Sequence, residues 1–162
     1  NILALRGDLK CGRAVSDFTY ATDLIKFVNK RNHFHISSAC YPEGHPESPN
    51  IKQDIEVLKM KSDLGVNHFI SQLFFDNSDF YRFMELSDIA NISAPIEAGI
   101  MPITNSKQIL RIIELSGAKL PAKLTKLISK YENNPIALRQ AGLNFAIEQI
   151  TDLLTNGVRG KI

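Results

Sequence analysis

The stretch Phe34–Glu47, FHISSACYPEGHPE, decides the fold. Its small and β-compatible residues, Ile36 to Cys40, suit a short buried strand. Tyr41, Pro42, Gly44 and Pro46 then stop the ladder and stiffen the exit. Within seven positions, Tyr41 to Glu47, that exit carries a phenol, two carboxylates and an imidazole. Rigid polar loops at the end of a core strand are where α/β enzymes keep their chemistry.

Working outward, the same strand–loop–helix pattern recurs. NILAL at 1–5 is a buried strand ending in Arg6-Gly7-Asp8; a polar loop (9–18) and a helix (19–30) follow, with Leu24, Ile25 and Val28 inward. After the strand at 34–40, Asn50 with Gln53 resembles a capping box for a helix to Leu64, and Gly65 stands where a C′ residue is wanted. On that helix Ile51, Ile55 and Leu58 make a core stripe, and Asp54, Val57 and Lys61 a neighbouring one. VNHFISQLFF at 66–75 is a third strand, interrupted by Gln72 and ended by Asp76, before a helix at 78–89. A fourth strand, 96–103, leads to a helix over 105–116 that Asn105 caps and Gly117 follows. Helices over 121–131 and from Pro135 to about Thr155 come next, and Val158–Ile162 resembles the start of a fifth strand.

Strand ends near residues 5, 40, 73 and 101 give repeats of roughly 30 residues, the length of βα units in a parallel sheet with right-handed crossovers. A TIM (β/α)8 barrel takes about 250 residues, so these 162 residues are expected to supply about half of one. A chain that opens directly on a buried strand is also expected to have lost its true N-terminus.

Composition narrows the function classes. With 44% apolar and 22% charged residues this is a globular chain, not a disordered one. A net charge of +2 gives no reason to expect nucleic acid or an anionic membrane as partner. No apolar run approaches the roughly 20 residues of a membrane span, and Arg6 interrupts anything like a signal peptide. Cys11 and Cys40 form no CxxC pattern, so free thiols and a cytoplasmic location are expected, which leaves the sequon Asn91-Ile92-Ser93 without weight. His33 and His35 share one strand face but lack further ligands; they are taken as strand-entry histidines, with no metal site. Lys123, Lys126 and Lys130 are taken as a solvated helix face.

Parallel strands gather their C-terminal ends on one face. Asp8, Tyr41, His45, Gln72 and the Pro102–Asn105 turn are therefore expected to meet there. Singly, Asp8 could be a turn residue and His45 an exposed loop histidine; Gln72 is harder to dismiss, because a buried amide needs a partner. Together they describe a pocket with few charges and several directional donors and acceptors, suited to a flat polar heterocycle.

NILALRGD at 1–8, YPEGHPE at 41–47, Asp54 to Lys61 with LGVNHFISQLFFD at 64–76, and GIMPITNSKQ at 99–108 together resemble methylenetetrahydrofolate reductase. The resemblance covers essentially the whole chain, from the fourth barrel strand to the start of the eighth. It implies that residues 1–162 are the C-terminal half of a flavin-binding TIM-barrel catalytic domain. It further implies an oxidoreductase of one-carbon metabolism and methionine biosynthesis. FAD would pass a hydride through its N5, in ping-pong fashion, from NADH or NADPH to 5,10-methylenetetrahydrofolate, giving 5-methyltetrahydrofolate. A homo-oligomer is also expected.

By position, the resemblance puts Arg6, Gly7, Asp8, Ala21, Tyr41, His45, Asp54 and Lys61 on FAD, with Tyr20, Ser48, Val57 and Met60 near it. Gln72 and Gln108 would hold folate, and Gln72 would also meet the nicotinamide. Lys61 can neutralise a pyrophosphate and Asp54 can accept from ribose hydroxyls. The absence of GxGxxG fits a barrel flavin site and not a Rossmann one.

Asp8 and Gln72 are the expected catalytic residues. The family's reaction passes through a cationic 5-iminium folate, which a fixed carboxylate at Asp8 would stabilise. The family's general-acid glutamate comes from the first barrel strand and a folate-tail arginine follows the eighth. Neither position falls within this sequence, and Glu43 and Glu47 match neither. The chain by itself is thus expected to be inactive. The competing readings are an aldolase-like barrel lyase, for which no Schiff-base lysine or metal triad stands at the strand ends, and a non-catalytic flavin- or partner-binding module.

Overall fold

The computed structural model describes residues 1–7, 17–31 and 33–158. Strands β1 (Ile2–Ala4), β2 (Ile36–Cys40), β3 (His68–Ser71) and β4 (Ile96–Glu97) form one sheet in the order β1-β2-β3-β4. Every pairing is parallel, with Ile2 opposite Ile36, Ser37 opposite His68 and Phe69 opposite Ile96. Helices α1 (Ala21–Asn29), α2 (Ile51–Asp63) and α3 (Asn77–Ile89) alternate with the strands; α4 (Ser106–Ser116), α5 (Ala122–Tyr131) and α6 (Pro135–Thr155) follow β4.

The helices start where short polar side chains can satisfy the first free N–H groups. Asn50 accepts from the Gln53 N–H, Asp76 from Ser78, Asn105 from Lys107 and Gln108, and Asn134 from Ala137. At α1 the Asp23 carboxylate reaches back to the backbone N–H groups of Thr19 and Tyr20, so the helix opens at Ala21 instead of residue 19. Gly65 and Gly117, with φ of +96° and +70°, follow α2 and α4 as their sequence positions predict.

The strands are shorter than expected, and β3 and β4 end for a visible reason. Beyond Ser71 the ladder gives way to a side chain: Ser71 Oγ accepts the Gly99 N–H at 2.8 Å. Gln72 to Phe75 and residues 98–103 therefore lie outside the strands, as exit segments. Val158 is not in a strand, and 159–162 lie outside the described residues.

One apolar cluster, including Ile25, Ile36, Ile55, Phe69, Phe80 and Phe83, fills the space between the sheet and α1 to α3. A second, built on Phe75, Ile103, Ile109, Ala118 and Leu124, lies at the exits of β3 and β4 under α4 and α5. Helix α6 joins the two: Gln149 Nε2 donates to the Phe74 carbonyl at 3.0 Å, and Tyr81 and Asn77 of α3 donate to the Asp152 carboxylate at 2.6 and 2.7 Å. Gly142 is pressed onto the β4 exit so closely that a Cβ there would fall 1.8 Å from the Ile103 carbonyl oxygen. Among the described residues no helix is long and apolar enough to cross a membrane.

Candidate functional site

Because the strands are parallel, their exits share one end of the sheet, and the candidate residues of β2 and β3 meet there. The Gln72 N–H donates to the Cys40 carbonyl at 2.7 Å, placing the β3 exit beside the start of the Tyr41–Glu47 loop. Tyr41 and Gln72 line one small cavity. The Tyr41 and His45 rings meet edge-on with centroids 4.6 Å apart. The Gln72 Oε1 accepts the Leu73 N–H at 2.9 Å, so the half-buried amide finds a partner one residue away.

The loop is held from two sides. Asp54 Oδ2, from the first turn of α2, accepts the His45 N–H at 2.9 Å. His45 Nδ1 accepts the Glu47 N–H at 3.1 Å, which makes Nε2 the protonated nitrogen of the neutral ring. Glu47 in turn receives both arms of the Arg6 guanidinium, at 2.7 and 2.8 Å, tying the β1 exit to this loop. That fork holds the Glu47 carboxyl below its usual range. Arg6 thus has a protein partner that sequence spacing did not disclose.

Lys61 lies under the loop. It is 8% exposed, and its Nζ donates to the Ala39 carbonyl at 2.9 Å. Burial pulls its pKa down, against the opposing pull of Cys40 and Asp54. An ammonium has three donors, so this cation keeps capacity for an anionic ligand. Cys40 is no candidate nucleophile, since burial pushes its thiol up to about 12.

Around this centre the remaining expected residues take simpler places. Ser48 Oγ donates to the Asn50 carbonyl at 3.2 Å. Val57 and Met60 are apolar side chains left open on α2, 39% and 49% exposed, and Tyr20 stands 60% exposed at the start of α1 beside Ala21. Gln108 is exposed in the first turn of α4, and Gly7 has φ +79°. Asp8 lies outside the described residues, as does Cys11. His33 and His35 are exposed ahead of β2, and the Lys123 face is solvated, with Lys123 paired to Glu148 at 2.7 Å.

Sequence reasoning missed a third brace on the loop: Glu43 Oε2 accepts the Lys119 N–H at 2.7 Å. Glu43 stands in the YPEGHPE motif, but nothing in the motif names its partner, a backbone group 76 residues away. The nearest hint was Gly117, which has the role of a helix stop but also lies against Pro46.

Comparison with known proteins matches the chain as a whole to one family. The family model described as methylenetetrahydrofolate reductase matches residues 1–161. The 5,10-methylenetetrahydrofolate reductase of Buchnera aphidicola is 38% identical over 162 residues, covering 98% of this chain and 54% of that protein. Arabidopsis thaliana methylenetetrahydrofolate reductase (NADH) 1 is 33% identical, covering 98% of this chain and 29% of the plant protein. This chain therefore spans about half the length of the bacterial relative. A solved structure of an uncharacterized Clostridium thermocellum protein, described as binding two copies of 5-methyl-5,6,7,8-tetrahydrofolic acid, shares the fold with a TM-score of 0.58 and 18% identity, covering 90% of this chain and 51% of that one.

Proposed function

Because this chain belongs to the methylenetetrahydrofolate reductase family, we propose that it forms the C-terminal half of a flavin-binding (β/α)8 barrel that reduces 5,10-methylenetetrahydrofolate to 5-methyltetrahydrofolate with NADH or NADPH. The parallel sheet, with β1 and β4 each partnered on one side only among the described residues, supports a half-barrel running from the fourth strand toward the eighth. The cytoplasm and a homo-oligomer complete this reading.

The single observation that carries it is the convergence of Tyr41, His45, Asp54, Lys61 and Gln72 around the β2 exit. These residues fit FAD. A buried ammonium suits a pyrophosphate, and an aromatic pair with a protonated Nε2 suits a planar heterocycle. The open side chains of Tyr20, Val57 and Met60 suit an adenine or dimethylbenzene surface.

FAD, when bound, would supply hydride transfer between nicotinamide and folate. The residues of this chain would hold and orient the cofactor and its substrates. Asp54 fixes the His45 backbone and would accept from ribose, Lys61 would neutralise phosphate charge, and Arg6, Gly7 and Ala21 would lie against the flavin by family position. Gln72 orients folate and nicotinamide in turn through Nε2, and Gln108 meets folate from α4. Asp8, by family position, stabilises the cationic iminium of the substrate.

The test is FAD-dependent oxidation of NADH or NADPH by the purified protein carrying the complete barrel, supplemented with 5,10-methylenetetrahydrofolate. Turnover that disappears in Gln72→Ala while flavin stays bound supports the reading. Flavin-independent turnover, or a lyase product, counts against it.

A further inference from the structure

Glu43 stands among the flavin-loop residues without a role in the proposed site. It is partly buried in the loop between β2 and α2, and its Oε2 accepts the Lys119 N–H at 2.7 Å. Its Oε1 is buried and has no hydrogen-bond partner among the described residues. Lys119 belongs to the link from α4 to α5, residues 117–121. The same link touches the same loop a second time, because a Cβ at Gly117 would lie 2.9 Å from Pro46 Cγ. Between them is a cavity of about 10 Å³ lined by Tyr41, Glu43, Gln72, Gly117 and their neighbours, room for about one water.

We propose that Glu43 is a positioning residue: its side chain clamps the Tyr41–Glu47 loop to the α4–α5 link and thereby holds Tyr41 and His45 in place for the flavin. The proposal rests on the flavin reading of this loop. A protonated carboxyl does the task best. Its carbonyl oxygen accepts from Lys119, and its hydroxyl donates to a water in the cavity; an ionised group would bury a charge with one oxygen unmatched. Burial pushes the Glu43 carboxyl above its usual range. The Lys119 N–H and ammonium oppose that push, and the carboxylates of Asp79 and Asp76, at the start of α3, add to it. The sign follows: the folded clamp favours the proton, so it is fully formed at low pH and weakens as pH rises through the raised value.

The test titrates FAD into the full chain and its E43Q and E43A variants between about pH 5 and pH 9, with hydrogen exchange of the Lys119 amide followed in parallel. Expected is an FAD dissociation constant about tenfold higher in E43A and a faster-exchanging Lys119 amide. E43Q, a permanently neutral mimic, should match wild type at low pH and lose the pH dependence that wild type shows. Equal affinity in E43A and wild type, or E43Q as weak as E43A, overturns the clamp. A wild type that takes up no FAD overturns the flavin reading instead. The Lys119 amide then decides the clamp alone: faster exchange in E43A but not in E43Q upholds it, and equal exchange in all three overturns it.

Discussion

The Lys61 ammonium is buried against the end of β2 and, among the described residues, has one protein acceptor, the Ala39 carbonyl, at 2.9 Å. Burial lowers its pKa, so the folded chain releases that proton at lower pH than the unfolded chain does. Stability of the ligand-free protein should consequently rise with pH between the lowered value and the ordinary lysine range. Lys61→Met should leave ligand-free stability within about 1 kcal/mol of wild type or raise it, while FAD affinity falls at least about tenfold. Urea melts with parallel flavin titrations check this; a large stability loss with unchanged affinity would make Lys61 a structural residue only. Asp8 is argued from family position. Asp8→Asn should slow folate reduction more than flavin reduction by NAD(P)H in stopped-flow half-reactions, and equal losses would remove its special role. At this scale, residue types were legible in the sequence, but their partners were not. Lys61 showed its helix stripe, whereas the Arg6–Glu47 fork and the Glu43–Lys119 bond join positions that no local pattern couples.

Helix boundaries were legible because caps are local: Asn50, Asp76, Asn105 and Asn134 each meet an N–H two or three residues on. Strand boundaries were not, because they depend on the neighbouring strand. Nothing in SQLFF or EAGIM announces that Ser71 Oγ will take the Gly99 N–H and end the ladder. The same limit hid the seat of α6. Its Gly142 looks like a weak point in a long helix, yet it is the place where the helix meets the Ile103 carbonyl. Gly142→Ala should cost about 2 kcal/mol or more, read as a lower urea midpoint, and an unchanged midpoint would mean that α6 is not seated there. Asn105→Ala removes a cap that serves both Lys107 and Gln108. It should cost about 1 kcal/mol and raise the KM for folate through Gln108 while leaving FAD affinity unchanged.

For the whole molecule, the parallel βα order was written in the spacing of strand ends, and the family in four motifs spread along the chain. The three-way bracing of the site was not, because it arises only when the sheet aligns its exits. Asp54 holds the loop from α2, Arg6 from β1, and Glu43 from the α4–α5 link. That bracing supports the central claim, that one preorganised loop together with Lys61 and Gln72 grips a flavin. The most direct measurement is a titration of the full chain with FAD, followed by the visible flavin band and flavin fluorescence. Saturable binding with a perturbed flavin spectrum, weakened by both Lys61→Met and His45→Ala, is the predicted result. A flavin spectrum unchanged at every protein concentration would contradict it.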